Sequence, residues 1–271
     1  MATQIAVITG SSKGIGFGYA RELLRRDFCV VISGRDPQAV DAACDQLIGE
    51  ESAWRDRLLG VPCNVAQLSD VQVLWDRAKQ HFGGSPTLWI NNAGFARSGP
   101  TLLELNPEEI EIMVETNLIG TINGCQVAVK GMLEAGGGYL VNTLGGGAKG
   151  QVVKGMIGYS TTKRAVKAIT DSLRKELKDQ PIRVSTVSPG VNITEGMLRE
   201  ISALPPEQRE RTIKPLNIIG DRVETTTPWL IDQLLQGEGH RDVSWLTGGK
   251  LMGRFLLAPF KKRDLLSEYH L

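Results

Sequence analysis

Six apolar runs, each of strand length, are separated by stretches of helical periodicity, and this alternation constrains the fold more than any other feature of the chain. The runs are QIAVITG (Gln4–Gly10), FCVVISG (Phe28–Gly34), LLGVPC (Leu58–Cys63), TLWINNAG (Thr87–Gly94), GYLVNTL (Gly138–Leu144) and IRVSTVSPG (Ile182–Gly190). Helical patterns fill the gaps at Ile15–Arg26, Pro37–Ile48, Leu68–His81, Pro107–Leu133 and Tyr159–Lys178; in the third, Val71, Leu74, Trp75 and Ala78 recur at helical spacing. Strands apolar at nearly every position belong to a parallel sheet covered on both faces. Right-handed crossovers then predict an α/β, doubly wound sheet with its ligand crevice at the carboxyl ends of the strands. No repeat or linker-like tract divides the chain, so one domain over 1–271 is expected.

The 31 basic and 30 acidic residues leave a formal charge of +1, so no global field recruits nucleic acid. Cys29, Cys44, Cys63 and Cys125 form no C-x-x-C and have no histidine cluster beside them, which argues against a metal site and for free thiols in a reducing compartment. No apolar run reaches the length of a membrane span. The chain enters strand-like sequence almost at once, and a cytoplasmic protein without a transit peptide is expected.

VITGSSKGIGFG follows the first strand and opens the first helix. Gly10, Gly14 and Gly16 allow the tight turn, the close backbone approach and the close helix packing that a pyrophosphate needs at a helix N-terminus; Ser12, Lys13 and Ile15 complete the loop. At the end of the second strand, where a carboxylate would bind a ribose 2′-hydroxyl, stand Ser33, Gly34 and then Arg35. Arg35 and Lys13 converging on one spot suit a 2′-phosphate, which selects NADP(H) over NAD(H). Asp36 reads as the cap of the helix that Pro37 begins. Tyr159 and Lys163, at i and i+4, share a helix face, and a neighbouring ammonium is expected to lower the phenol and ready it as a general acid.

TGSSKGIG (Thr9–Gly16), NNAG (Asn91–Gly94), Asn117, YSTTK (Tyr159–Lys163) and SPG (Ser188–Gly190) together resemble, in order and spacing, the short-chain dehydrogenase/reductase family over about residues 2–194. The resemblance implies a Rossmann-type fold, hydride transfer with a nicotinamide cofactor, and a catalytic set of Tyr159, Lys163 and Asn117, the last holding a water of the proton relay. It also places Asn91, Ala93 and Gly94 beside the adenosine side, Asn64 and Val65 at the adenine, and Pro189, Gly190 and Thr194 along the nicotinamide. Lys163 would bond the nicotinamide ribose.

One element of the pattern is missing. Where the family carries a serine, at about Gly145, stands Gly145-Gly146-Gly147, with no serine or threonine between Leu144 and Gly158. Backbone N–H groups of this run could hold a carbonyl oxygen as an oxyanion hole does, with Gly146→Val as a damaging change; the alternative is a cofactor binder without catalysis. A glycine-rich, serine-poor segment here, with WINNAG (Trp89–Gly94), TKRAV (Thr162–Val166) and the tail WLTGGKLMGRFLLAPFKKRDLL (Trp245–Leu266), is similar to the chlorophyll b reductase branch. That similarity implies NADPH-dependent reduction of a formyl group on a chlorophyll or chlorophyllide ring. An ordinary ketone or alcohol oxidoreductase is the alternative within the enzyme class.

The segment at about 194–225 is expected to lid the pocket, its Met197, Leu198, Ile201 and Leu204 suiting a large hydrophobic small-molecule substrate. The tail from about 245 to 271 mixes Leu251, Met252, Phe255 and Leu256 with Lys250, Arg254, Lys261 and Lys262. It reads as packing or a subunit contact in a homo-oligomer, dimer or tetramer, with peripheral contact at a thylakoid-type membrane as the other option.

Overall fold

The computed structural model describes residues 3–269. Its elements run β1 (Ile5–Ile8), α1 (Gly14–Leu24), β2 (Cys29–Gly34), α2 (Pro37–Glu50), β3 (Leu58–Pro62), α3 (Leu68–Phe82) and β4 (Leu88–Asn91). After a loop come α4 (Pro107–Met113), a π-helical turn (Val114–Ile119), α5 (Gly120–Glu134), β5 (Gly138–Thr143), α6 (Ile157–Glu176) and β6 (Ile182–Ser188). The chain continues through β7 (Val191–Ile193), α7 (Glu195–Ser202), α8 (Pro206–Ile219), β8 (Gly220–Arg222), α9 (Val223–Leu235), β9 (Asp242–Ser244) and α10 (Gly248–Leu257).

Seven strands form one sheet in the order β3-β2-β1-β4-β5-β6-β9, every pair parallel. The order reverses between β1 and β4, which opens the crevice at the carboxyl ends that the alternating sequence predicts. Side chains alternate across the sheet, so two cores form. Ile8, Ile32, Val141 and Val187 join Tyr19, Leu23 and Leu230 on the α1, α2 and α9 side. Val7, Val31, Trp89, Leu140 and Val184 join Val71, Trp75 and Met132 on the other. Asp36 does cap α2, its carboxylate accepting the Gln38 N–H at 3.0 Å.

The structure adds features the hydrophobic pattern did not announce. β7 and β8 pair in a separate two-stranded ribbon immediately after the Ser188–Gly190 turn. β9 closes the main sheet at its β6 edge. The predicted helix at Pro107–Leu133 is interrupted by the π turn, which carries Asn117. Such turns widen a helix locally and recur at functional positions. All four cysteines are free thiols.

Candidate active site

The glycine loop is pinned from below. Thr9 Oγ1 accepts the backbone N–H groups of Asn92 and Ala93, both at 3.0 Å, and the Asn92 amide donates to the Thr9 and Gly10 carbonyls, also at 3.0 Å. Gly10 has φ +62°, and a Cβ there would stand 2.6 Å from Ala93 Cα. A side chain at Gly16 would meet the Asn92 amide and the Gly10 carbonyl at 2.5 Å. No side chain caps α1, and Phe17 is the first residue whose N–H reaches a helical carbonyl, that of Lys13 at 3.3 Å. The end of the helix therefore offers the N–H groups of Lys13, Gly14, Ile15 and Gly16 to an anion. Ser12 lies against Gly34, where a Cβ would fall 2.8 Å from its Oγ. Lys13 and Arg35 are exposed, and among the described residues neither is paired with a carboxylate. This loop fits a dinucleotide phosphate by its turn, its open N–H groups and its unspent cations.

The remaining cofactor candidates divide by how much of each is free. Val65 is buried against Gly120, and the Asn64 side chain bonds back to the Ala66 N–H. The Asn91 amide does not serve the crevice. It accepts from Trp89 Nε1 and donates to Asn142 Oδ1, both at 2.8 Å, inside the core on the α3 and α5 side. Gly190 has φ +77° and lies against Trp245 and Leu246, while the carbonyl of Pro189 accepts from the Asn192 amide. Thr194 caps α7 through the Met197 N–H and approaches Gly14, where a Cβ would stand 3.4 Å from its Cγ2.

At the carboxyl end of β5 the chemistry-bearing groups meet. Lys163 is 4% exposed and its ammonium donates to the Thr143 carbonyl at 3.0 Å. Asn117 is fully buried; its amide accepts from Phe95 N–H at 2.7 Å and donates to Phe95 O and Thr162 Oγ1. Gly94 lies between them, so that a Cβ there would be 3.3 Å from Asn117 Oδ1 and 3.6 Å from Lys163 Nζ. Tyr159 stands beside Lys163, the ammonium 5.7 Å from the ring centroid. Burial pushes the Tyr159 phenol up to about 12 and the Lys163 ammonium down to about 8. This reverses the sequence expectation that the lysine lowers the phenol. Burial alone raises the phenol, and the Lys163 ammonium donates to the Thr143 carbonyl rather than to the tyrosine.

The glycine run answers to the tyrosine. A Cβ built on Gly145 would fall on the Tyr159 hydroxyl, so the position of the missing serine is filled by the phenol itself. Gly145 to Ala148 form a tight turn closed by Ala148 N–H to Gly145 O at 3.2 Å. Gly147 occupies its third position with φ +85°, as a type II turn requires, and a Cβ there would strike Ser160 Oγ. Gly146 is exposed, and a Cβ on it would make only an ordinary contact with Met156 at 3.6 Å. The sensitive positions are thus Gly145 and Gly147 rather than Gly146. Among the described residues no acceptor takes the N–H groups of Gly145, Gly146 or Gly147. Lys149 and Lys154 are exposed.

The model of the short chain dehydrogenase family matches residues 4–203, most of the chain. This protein is a short-chain dehydrogenase/reductase. It is similar to chlorophyll(ide) b reductase NOL, chloroplastic, of Arabidopsis thaliana: 32% identical over 278 residues, 97% of this chain and 76% of the relative. The probable chlorophyll(ide) b reductase NYC1 of the same plant is 30% identical over 91% of this chain, which spans 51% of that longer protein. A 3alpha-hydroxysteroid dehydrogenase of Mediterraneibacter gnavus is 32% identical over 80% of this chain and 81% of its own. Among solved structures, a point variant of actinorhodin polyketide ketoreductase with NADPH superposes with a TM-score of 0.78 at 25% identity, over 91% of this chain and 97% of the other.

Within this family frame, several residues act that the motifs had not singled out. Thr9 and Asn92 set the glycine loop, and Thr162 completes the clasp on Asn117. Arg164, one helical turn after Ser160, donates to the carbonyls of Gly147, Gly150 and Gln151 and holds the loop beyond the glycine run. The hydroxyls of Thr143 and Ser160, one on each side of the run, are buried and have no hydrogen-bond partner among the described residues. Strand alternation was a usable signal for one of these: if Trp89 and Asn91 face one core, Asn92 faces the loop.

Proposed function

We propose that this short-chain dehydrogenase/reductase is an NADPH-dependent carbonyl reductase acting on a bulky hydrophobic aldehyde, with the formyl group of a chlorophyll(ide) b-type ring as the leading substrate. The observation that carries the reading is the replacement of the serine by Gly145 with the Tyr159 hydroxyl seated directly over it. A decayed site has no reason to keep a tyrosine, a buried lysine and a glycine fitted to one another.

The dihydronicotinamide, when bound, supplies a hydride to the carbonyl carbon. Tyr159 gives its hydroxyl proton to the carbonyl oxygen as negative charge develops there, and the N–H groups of Gly145 and Gly146 stabilise that charge without needing a serine hydroxyl. Lys163 holds the positive charge that stabilises the Tyr159 phenolate left once the carbonyl oxygen has taken the proton. Asn117 completes the catalytic set: its amide fixes Phe95 and Thr162, and it would hold a water of the proton relay. Lys13 and Arg35 would hold the 2′-phosphate of NADPH. The α7–α8 segment lids the substrate; Ile201 is buried while no residue of α8 is, which suits a cover resting on the surface.

The similarity to chlorophyll(ide) b reductase NOL over 97% of the chain supports the tetrapyrrole assignment. A second reading, reduction of an alicyclic ketone, is favoured by the similarity to the 3alpha-hydroxysteroid dehydrogenase. The test is NADPH oxidation by the purified protein with chlorophyllide b, a 3-ketosteroid and simple aldehydes. Turnover confined to the pigment supports the first reading, and turnover confined to the steroid supports the second. Tight NADPH binding with no turnover on any of them overturns both and leaves a cofactor-binding scaffold.

A further inference from the structure

The tail helix α10 is built inside out. Its inward side is charged: Arg254 donates to Asp221 at 2.9 Å and to the Ile219 carbonyl at 2.8 Å, and Lys250 lies 3.2 Å from the centroid of the Trp245 ring. Asp221 is 3% exposed and also receives Arg263 at 2.9 Å and Trp245 Nε1 at 2.6 Å, so the tail is clamped onto the end of α8 and the β7–β8 ribbon. Met252, Phe255 and Leu256, at i, i+3 and i+4, face outward with Leu257 and Phe260; Leu256 is 68% and Phe260 87% exposed. An amphipathic helix on a globular surface normally turns that stripe inward. A contiguous apolar stripe left outside marks a surface that something covers.

The charge beside the stripe selects the cover. From Leu246 to Arg263 there is no acidic residue, and Lys261 and Lys262, at the open end of the stripe, are exposed without a carboxylate partner among the described residues. Two copies meeting face to face here would bring the lysines together with no acid from the same stretch to answer them. An anionic lipid surface answers both features: the acyl boundary takes the apolar stripe and the headgroups take the lysines. We infer that α10 and the turn after it form a peripheral docking surface for an anionic bilayer. No helix of the described residues is long and apolar enough to cross a membrane, so the contact is superficial. This surface stands independently of the substrate assigned above.

The experiment is flotation of the purified full chain with vesicles of phosphatidylcholine, with and without phosphatidylglycerol, at low and high salt. Binding is expected only to the anionic vesicles and is expected to weaken with salt. Lys261→Gln with Lys262→Gln should weaken it about thirtyfold, since each lysine near an anionic surface is worth roughly a factor of five. Phe255→Ser with Leu256→Ser should abolish it at unchanged thermal midpoint, because both side chains already face solvent. Absence of binding to the anionic vesicles at low salt overturns the inference. So does equal binding to both kinds of vesicle, or a wild-type dimer that the Phe255→Ser, Leu256→Ser variant converts to monomer without any effect on vesicles.

Discussion

Restoring the family's serine should harm this enzyme. In Gly145→Ser the new Cβ falls on the Tyr159 hydroxyl, so either the β5 end or the phenol has to move by more than an ångström. Both are held: Tyr159 is packed on α6 beside Lys163, and the β5 end is bonded to that lysine through the Thr143 carbonyl. Overpacking of this kind costs about 1–3 kcal/mol of stability. The catalytic loss is larger, because a reacting group displaced by about an ångström forfeits roughly a factor of 100. A fall in kcat of about 100-fold or more is expected, with NADPH affinity nearly unchanged, since the glycine loop, Lys13 and Arg35 lie elsewhere. Gly146→Ala is the control, with space for its methyl group and turnover near that of the wild type. Steady-state NADPH oxidation and cofactor titration on the three proteins decide the matter. A Gly145→Ser variant as active as the wild type, or more so, refutes the reasoning, for the glycine would then be a vacancy and not a seat for the tyrosine.

Other consequences are as direct. Arg35→Ala and Lys13→Ala should each weaken NADPH binding about tenfold or more while leaving NADH binding unchanged, a pattern titration with both cofactors reads out. Lys163 carries a folded-state pKa near 8 against an unfolded value near 10.5, so the unfolded chain holds the extra proton between those values. Its burial therefore destabilises the cofactor-free chain fully below about pH 8, and the penalty fades as pH rises toward 10.5. Lys163→Met should raise the thermal midpoint at pH 7, by an amount equivalent to at most ~3 kcal/mol, and the gain should shrink above pH 8; a gain independent of pH contradicts the assignment. Asp221→Asn strands Arg254 and Arg263 and should cost about 3–5 kcal/mol, seen as a lower midpoint and early proteolysis after residue 244.

The main sheet was legible because its strands are apolar runs buried on both faces, and each of the six predicted runs became one. β9 and β8 escaped notice for a physical reason: DVS and GDR are three-residue segments with no periodicity, held as strands only by β6 and β7 across from them. The π turn at Val114–Ile119 is likewise invisible in a pattern that continues as helix on both sides. In the candidate site, Tyr159, Lys163 and the glycine loop could be read because their spacing is local. Thr9 and Thr162 could not be, since each acts through a partner tens of residues away. The direction of the Tyr159 shift comes from its burial in the folded chain, which the spacing of four residues does not convey.

The central claim is that Tyr159, seated over Gly145, delivers the proton without a serine. The measurement that bears on it most directly is the single-turnover rate of NADPH oxidation with chlorophyllide b by the wild type and Tyr159→Phe. Loss of the phenolic proton donor should slow the rate by about 100-fold or more at unchanged NADPH affinity. A Tyr159→Phe variant that oxidises NADPH against the pigment at the wild-type rate would contradict the account and assign the proton to another group.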